Sequence, residues 1–256
     1  MQKLLIIALL SVLAFGCAKE VELEKAQDYY EHEGNLLAAQ GKYKEATEWY
    51  DQALIRAESP EYAAKIQLLL ADSYYLAEMY EAAIPIYEVY VDIYKDLYYA
   101  KLARVRLGLS YFNLVEYASR DQTNTAKALE TFLYVKEHYP ELVADYRIDE
   151  RIVLLRERLA KKEWIIAKYY KRILKPNSAK KRYKLIMDTY KDTKYYELSV
   201  MKYVPLSLKE NMLSDAIDAC KELASINSNS KNIKKCNDLI EKYEKKQAKL
   251  KNKNKN

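Results

Sequence analysis

The chain has 256 residues, a formal net charge of +6, 26 tyrosines and only four glycines. The charge lies at the ends: Lys3 carries one positive charge, and residues 241–256 hold seven lysines against two glutamates, so residues 17–240 are neutral overall. A neutral body lacks the basic surface that nucleic-acid binding requires, and we expect no nucleic-acid partner. So few glycines also argue against a phosphate-cradling loop.

Residues 1–16 have the pattern of a signal peptide. Lys3 precedes an apolar run, residues 4–15, that is too short to span a bilayer. The run ends in Leu-Ala-Phe-Gly and Cys17 follows, which resembles a bacterial lipobox, where cleavage precedes a lipidated cysteine. No aspartate comes next, and by the enterobacterial sorting rule this indicates the outer membrane, facing the periplasm. We therefore predict a lipid anchor on Cys17 and a linker over residues 17–26; a signal peptide with a chance cysteine is the alternative.

Beyond the linker, charged and apolar residues recur at helical spacing, and no segment shows the sustained alternation of a β-strand. These observations predict an all-α chain. Its clearest internal pattern is an alanine followed four residues later by an aromatic residue, or in one degenerate case by a cysteine. The pairs are Ala46–Tyr50, Ala83–Tyr87, Ala128–Phe132, Ala179–Tyr183 and Ala216–Cys220.

This pattern resembles the second helix of a tetratricopeptide repeat, which is a pair of antiparallel helices. Gly34 and Gly108 fall where the first helix admits its partner, and Gly41 falls at a turn. The resemblance implies an all-α tetratricopeptide-repeat solenoid of about five helix-turn-helix units plus a C-terminal capping helix over residues 233–246. A generic helical bundle is the competing interpretation.

Several segments between the repeat positions carry their own expectations. Residues 119–125 are polar and predict a long loop inside the third repeat, and residues 149–174 predict a long first helix in the fourth. Ser178 is expected to cap the helix that follows. Residues 249–256 lack an apolar period and are predicted to be a disordered Lys/Asn tail. That tail either touches anionic lipid or peptidoglycan or is simply solvated.

The sequence contains no recognisable catalytic or metal-binding constellation. His32 and His138 stand alone, and neither a G-x-S-x-G nor an H-E-x-x-H motif is present. We therefore expect no enzyme activity, no metal and no cofactor. The abundant tyrosines have two interpretations: they replace the aromatic residues of the repeat motif, or some of them line a binding groove.

Three stretches resemble the BamD family, lipoproteins of the β-barrel assembly machinery, and the second of them is a non-periodic match that tandem repeats alone would not give. They are residues 120–140, which begin with Arg-Asp, residues 158–170, which begin with Arg-Leu-Ala-Lys-Lys-Glu, and residues 190–193. The whole resemblance runs from about residue 33 to residue 227. In the turn after the first repeat the family's glycine is absent, and after the Arg-Asp pair a glutamine stands where the family has proline.

The resemblance implies an outer-membrane scaffold that helps β-barrel proteins to fold and insert. The first three repeats, residues 27–140, would receive unfolded outer-membrane proteins, and the peptide-binding candidates are Arg56, Tyr62, Lys44 and Tyr74. The later repeats and capping helix, residues 141–248, would dock on the POTRA domain of BamA. The candidates for partner binding are Arg182, Lys181, Arg120 and Asp121. Other Bam lipoproteins are further expected partners.

Two other classes of protein stay open at this point. One is a different periplasmic repeat lipoprotein, such as a pilotin-like protein or a cell-division or peptidoglycan-associated adaptor. The other is a peptidoglycan-cleaving enzyme that carries repeats. The polar segment 119–125 and the match over residues 158–170 argue against the first, and no isolated catalytic glutamate is marked for the second.

The remaining cysteines, Cys220 and Cys236, lie at similar distances on either side of a predicted turn between two helices. Antiparallel helices bring such positions to the same level, which favours a disulfide in an oxidising periplasm. Packed helix axes, however, lie about 8–10 Å apart, whereas a disulfide needs its Cα atoms within roughly 7 Å. A disulfide and a pair of small buried thiols therefore stay open as alternatives.

Overall fold

The computed structural model describes residues 27–95 and 98–253. Over these residues it contains eleven α-helices, one short 3-10 helix (Pro140–Leu142) and no β-strand, so the all-α prediction is confirmed. The predicted signal peptide, the linker with Cys17, and residues 254–256 lie outside the described part. The helices are α1 (Gln27–Ala39), α2 (Tyr43–Ile55), α3 (Pro60–Leu76), α4 (Tyr80–Ile93), α5 (Ala100–Asn113), α6 (Thr123–His138), α7 (Ile148–Arg172), α8 (Pro176–Thr189), α9 (Lys194–Lys209), α10 (Leu213–Ile226) and α11 (Lys231–Lys253).

The chain divides into two compact units after Glu78. The first unit holds α1 to α3, and the second holds α4 to α11. Within each unit every helix packs against its neighbours in the chain, and α9 also packs on α7 and α11. The division falls inside the second predicted repeat and not at residue 140, where the functional division was expected.

The alanine and aromatic positions of the repeat motif form the core of the helix pairs. All five alanines are fully buried, and their partners are 0–4% exposed. Each alanine lies near the beginning of a second helix, where the absence of a larger side chain allows the neighbouring helix to approach. The buried motif positions and the succession of eleven helices over the described residues agree with the predicted repeat organisation.

Two glycines on first helices allow this close approach directly. A Cβ atom on Gly34 would lie 2.7 Å from Cε1 of Tyr50, and one on Gly108 would lie 2.6 Å from Cε1 of Phe132. Both rings are buried, at 1% and 0% exposure, so neither has free space to move into. The glycine of the first helix and the aromatic residue of the second helix therefore form one packing unit in repeats one and three.

Four turns that follow the first helix of a predicted repeat share a backbone conformation that the motif does not reveal. Gly41, Glu78, Leu174 and Asn211 have φ values of +75°, +59°, +56° and +61°. Each of them lies two residues beyond the end of a first helix. Glycine and asparagine adopt this left-handed conformation readily, whereas Glu78 and Leu174 do so at a cost in free energy.

Three local expectations need correction. Helix α6 begins at Thr123, so the last residues of the predicted polar loop are helical. Ser178 does not cap α8, because Pro176 starts that helix and places the serine inside its first turn. Residues 249–253 are helical and not disordered, since α11 continues to Lys253. Lysine, alanine, glutamine and leucine form helices readily, which explains why α11 extends beyond the predicted cap.

The last helix is attached to the fifth repeat by a disulfide. Cys220 on α10 and Cys236 on α11 are joined in the structure, with their Cα atoms 5.8 Å apart. Both are buried, with 4% and 0% exposure, in the same apolar cluster as Tyr183 and Leu223. Cys220 occupies the slot that holds an aromatic residue in the other repeats, and this small side chain leaves room for the disulfide to α11.

Candidate partner-docking site

The long helix α7 carries one of the three stretches that resemble the BamD family, and it contacts the other two. Nε and Nη2 of Arg156 donate to the two carboxylate oxygens of Asp192 at 2.7 and 2.6 Å, and Nη2 also donates to the carbonyl oxygen of Thr189 at 2.7 Å. These bonds hold the pKa of Asp192 below its ordinary value. The bidentate pair joins α7 to residues 190–193.

A second contact ties the same turn to α7. The Lys194 backbone N–H donates to Oε1 of Glu157 at 2.8 Å, and the Lys194 ammonium lies 3.2 Å from Oε2 of that carboxylate. Because Glu157 follows Arg156 directly, two consecutive residues of α7 hold both sides of the α8–α9 turn. The turn is therefore fixed against α7 by charged side chains.

The loop between α5 and α6 also contacts α7. The Arg158 guanidinium donates to the carbonyl oxygen of Glu116. In the same loop, the carboxylate of Asp121 accepts a hydrogen bond from the Thr123 N–H at 3.0 Å, and this bond lowers the pKa of the Asp121 carboxyl group. Arg120 and Asp121 are both exposed. Lys162 of α7 also acts electrostatically on Asp121, so the Arg-Asp stretch and the Arg158 stretch share one surface.

Gln122 organises this loop from within. It is 3% exposed, and its Nε2 donates to the carbonyl oxygens of Tyr117, Arg120 and Asp121 at 2.9, 3.3 and 2.9 Å. Its Oε1 accepts from the Thr125 hydroxyl at 2.9 Å. The sequence marked this position only as a departure from the family's proline. The structure shows that side-chain hydrogen bonds close the loop instead.

The surface beside the loop combines exposed apolar side chains with cations. Tyr117 is 81% exposed, and Leu154 on α7 is 59% exposed. They border an open cavity of about 350 Å³ that is also lined by Arg158, Lys161 and Lys194. Tyr117, Leu154 and Arg156 were not predicted as site residues, because a single exposed aromatic or cation leaves no periodic signal. We call this surface the α7 site.

The predicted cations of α8 lie elsewhere on the second unit. Nη1 of Arg182 donates to Oε2 of Glu163 on α7 at 2.8 Å, and the two side chains are 38% and 14% exposed. Lys181 is exposed, whereas the neighbouring Lys180 is largely buried and pairs with Glu210. Arg182 is therefore already held by an internal carboxylate, with part of its surface open to solvent.

The four predicted peptide-binding residues do not form one cluster. Arg56 stacks on the Tyr30 ring, 4.3 Å from its centroid, and the Tyr62 hydroxyl donates to the Gln27 carbonyl oxygen at 3.0 Å. Both contacts are made with the first turns of α1. Lys44 lies in the first turn of α2 and Tyr74 in the last turn of α3, about 18 Å along the helix from Arg56 and from Tyr62 respectively, at 1.5 Å per residue.

The described residues offer no group of three or more His, Cys, Asp or Glu side chains that could hold a metal ion. His32 and His138 are exposed on α1 and α6. Among these same residues, none of the helices combines the length and the apolar character that a membrane span needs.

Helix-turn-helix repeats with an exposed apolar and cationic surface place the chain in the class of tetratricopeptide-type repeat proteins.

The family is established by comparison. Residues 23–216 match the model of the family YfiO, described as "Outer membrane lipoprotein", and the chain belongs to this BamD-type family. The prediction from the sequence that the chain resembles the BamD family is therefore confirmed.

Two similar proteins are each named outer membrane protein assembly factor BamD. The one from Rickettsia prowazekii is 29% identical over 167 residues, which cover 63% of this chain and 64% of that protein. The one from Caulobacter vibrioides is 22% identical over 178 residues, which cover 69% of this chain and 58% of that protein. The chain thus spans less than two thirds of the length of either relative.

A similar solved structure is the complex of the TPR2AB domain of yeast Sti1 with pHSP90. It has 17% sequence identity and a TM-score of 0.39, and the match covers 80% of this chain and 78% of that chain.

Proposed function

We propose that this protein is a non-enzymatic scaffold for the assembly of outer-membrane β-barrel proteins, held by lipid on the periplasmic face of the outer membrane. Family membership supports the proposal, as do the two relatives named outer membrane protein assembly factor. In this proposal the later repeats and capping helix, residues 141–248, bind the POTRA domain of BamA together with the Arg120–Asp121 loop, and the first three repeats, residues 27–140, receive unfolded barrel proteins. Other Bam lipoproteins are further partners.

The observation that carries the proposal is the convergence at the α7 site. Stretches of sequence that resemble the family come together there. Arg156 of α7 holds Asp192, Arg158 holds the α5–α6 loop at Glu116, and Lys162 of α7 acts electrostatically on Asp121. Exposed Tyr117 and Leu154 provide the apolar centre that partner binding needs, and the surrounding cations provide a polar rim. Arg120 and Asp121 lie in the adjoining loop. This arrangement suits a folded protein partner.

Arg182 is the second proposed contact with BamA, and its internal pair with Glu163 decides how it must be tested. Arg182→Glu alone would place two carboxylates against each other and disturb α7 and α8. The charge-swapped double variant Arg182→Glu/Glu163→Arg restores an internal pair while reversing the charge at the exposed position. Lys221→Glu, on the exposed face of α10, is a matched control.

The experiment is co-purification of BamA from detergent-solubilised membranes with each variant. We expect the double variant to retain thermal stability and to lose BamA at least tenfold, because reversed charge at an interface costs a few kcal/mol. The control should bind as the unaltered protein does. If the double variant binds BamA normally, Arg182 serves only the internal pair, and the interface does not include it.

The lipid anchor has a separate test. Cys17→Ser should release the protein from the membrane into the soluble periplasmic fraction, since an acyl anchor supplies most of the attachment free energy. The measurement is fractionation in cells that lack the partner proteins. Retention on the membrane at high salt under those conditions would contradict the proposed anchor.

The first unit is proposed to bind unfolded client chains at two places. One is the end formed by Arg56 and Tyr62, and the other is the end formed by Lys44 and Tyr74. A photo-crosslinking residue at Arg56 or at Tyr74 should capture an unfolded β-barrel protein, and one at Lys221 should not. Equal capture at all three positions would show non-specific association.

A further inference from the structure

The last helix presents a row of lysines that neither the fold nor the proposed contact with BamA uses. At about 100° per residue, Lys235, Lys242, Lys246 and Lys249 lie within an arc of about 60° on α11. All four are exposed. They extend over about 21 Å of the helix. We call these four residues the lysine stripe.

The stripe is held in place by the core contacts of the same helix. Ile233, Leu239, Ile240 and Tyr243 pack against the apolar core, and the disulfide fixes α11 to α10 at Cys236. The Tyr243 hydroxyl also donates to Oδ1 of Asn211 at 3.0 Å. Because this inner face is anchored, the lysines form a fixed row instead of a freely moving tail.

The charge of the stripe is not neutralised within the part of the chain that the structure describes. There, none of Lys235, Lys242, Lys246 and Lys249 takes part in a salt bridge, whereas the neighbouring Lys245 pairs with Glu241. Two acidic residues lie beside the stripe: Asp238, and Glu241, whose carboxylate also interacts electrostatically with Lys242. A straight row of cations with so little neutralising charge suits an extended anionic surface as its partner.

We propose that the lysine stripe binds the anionic headgroups of a lipid bilayer. The composition of the stripe favours a bilayer over an acidic protein: protein interfaces are enriched in arginine and aromatic residues and depleted in lysine. Lysine acts as a flexible point charge that suits diffuse phosphate groups, and clustered lysines on a helix are typical of lipid-surface contacts. This contact does not depend on the proposed partners, and it would hold the second unit near the surface to which the lipid anchor is proposed to attach.

The test is flotation with vesicles, using a chain that begins at residue 17 and carries Cys17→Ser, which retains every described residue. The stripe variant is Lys242→Gln/Lys246→Gln/Lys249→Gln. The control is Lys168→Gln/Lys202→Gln/Lys221→Gln, which removes the same charge from exposed positions on α7, α9 and α10. Vesicles contain phosphatidylcholine alone or with one third phosphatidylglycerol, at low and at physiological salt.

We expect the unaltered chain and the control to bind anionic vesicles and to be released by salt. The stripe variant should bind them on the order of 100-fold more weakly, given the contribution of each lysine near a charged membrane. If the stripe variant and the control lose vesicle binding equally, only the net charge of the protein matters. If the unaltered chain binds neutral and anionic vesicles equally, headgroup charge does not contribute to binding. Either result overturns the proposal. Loss of a protein partner by the stripe variant with unchanged vesicle binding would do the same, and would identify the stripe as a protein interface.

Discussion

The buried amide of Gln122 offers a sharp test of how the α5–α6 loop is built. We consider three substitutions, Gln122→Ala, Gln122→Glu and Gln122→Pro. Alanine removes all of the side-chain bonds, glutamate keeps the shape but replaces the donor by acceptors, and proline introduces the residue that the family usually has. The three changes separate lost hydrogen bonds, electrostatic conflict and backbone fit.

The magnitudes follow from the bonds in the structure. Three of the four Gln122 bonds are 2.9 Å long, and each contributes a net stabilisation of about 0.5–1.5 kcal/mol. Since the loop carbonyls can turn to water, we expect Gln122→Ala to lower the free energy of unfolding by about 2 kcal/mol, which corresponds to a fall in Tm of about 4–8 °C.

Gln122→Glu should destabilise the protein more than alanine does at neutral pH, because a buried carboxylate would face three carbonyl oxygens. This environment would raise the pKa of the new carboxyl group in the folded state. Its protonated form can donate one bond, so the lost stability should return as the pH falls through that raised pKa. Gln122→Pro should also fail to stabilise the loop, since φ here is −119° and proline requires about −65°.

The assay is urea unfolding of the three variants and the unaltered protein between pH 4 and pH 8, with amide exchange measured for residues 116–122. The expected order of stability at pH 7 is unaltered, then alanine, then glutamate. If the Gln122→Glu variant is as stable as the unaltered protein at pH 7, the reasoning about the three carbonyl contacts is wrong. The same holds if the stability that this variant has lost increases towards low pH.

Three further predictions concern packing, cross-linking and pH. Gly108→Ala should destabilise the protein by about 1–2 kcal/mol because the new Cβ meets the buried Phe132 ring. The measurement is thermal unfolding, with an Ala→Gly change at an exposed helix position as the reference for the helix propensity of the two residues. Cys220→Ser should cost about 3 kcal/mol, from a loop of 16 residues, with the loss confined by amide exchange to α10 and α11. Hydrogen bonds from Arg156 lower the pKa of Asp192 in the folded protein. The stability that this pair contributes is therefore present above the ordinary carboxyl pKa and is lost as the pH falls through the lowered pKa. Asp192→Asn should reduce this dependence of stability on pH, as measured by acid unfolding.

The repeat core was predictable because its signal is periodic. Burial of an alanine forces a small residue at a fixed place in every second helix, and the aromatic residue four positions later fills the same interface. Ala46 and Tyr50 therefore report on packing even when read from the sequence alone. The left-handed turn at Leu174 was not predictable, because its residue type lacks the glycine signal that Gly41 carries.

The contacts of the α7 site have no such signature. Arg156 and Asp192 are 36 residues apart, and an arginine on a polar helix face is usually solvated. The family resemblance identified the Arg158 stretch and the Arg-Asp stretch as relevant, but it gave no reason for them to meet. Only the packing of α7 between its neighbours places them together. The end of α11 was missed for another reason: its lysines suggested a tail, although lysine favours helix.

The contacts of α7 link the proposed interaction surfaces of the second unit. Arg158 binds the loop that carries Tyr117, and Glu163, about one and a half turns further on, binds Arg182 on α8. A partner that contacts both regions therefore meets side chains already oriented by the same rigid helix, which reduces the entropy lost on binding. Because Arg156 also clamps the α8–α9 turn to α7 through Asp192, loosening that clamp with Asp192→Asn should weaken the co-purification of BamA while Tyr117, Leu154 and Arg182 stay in place.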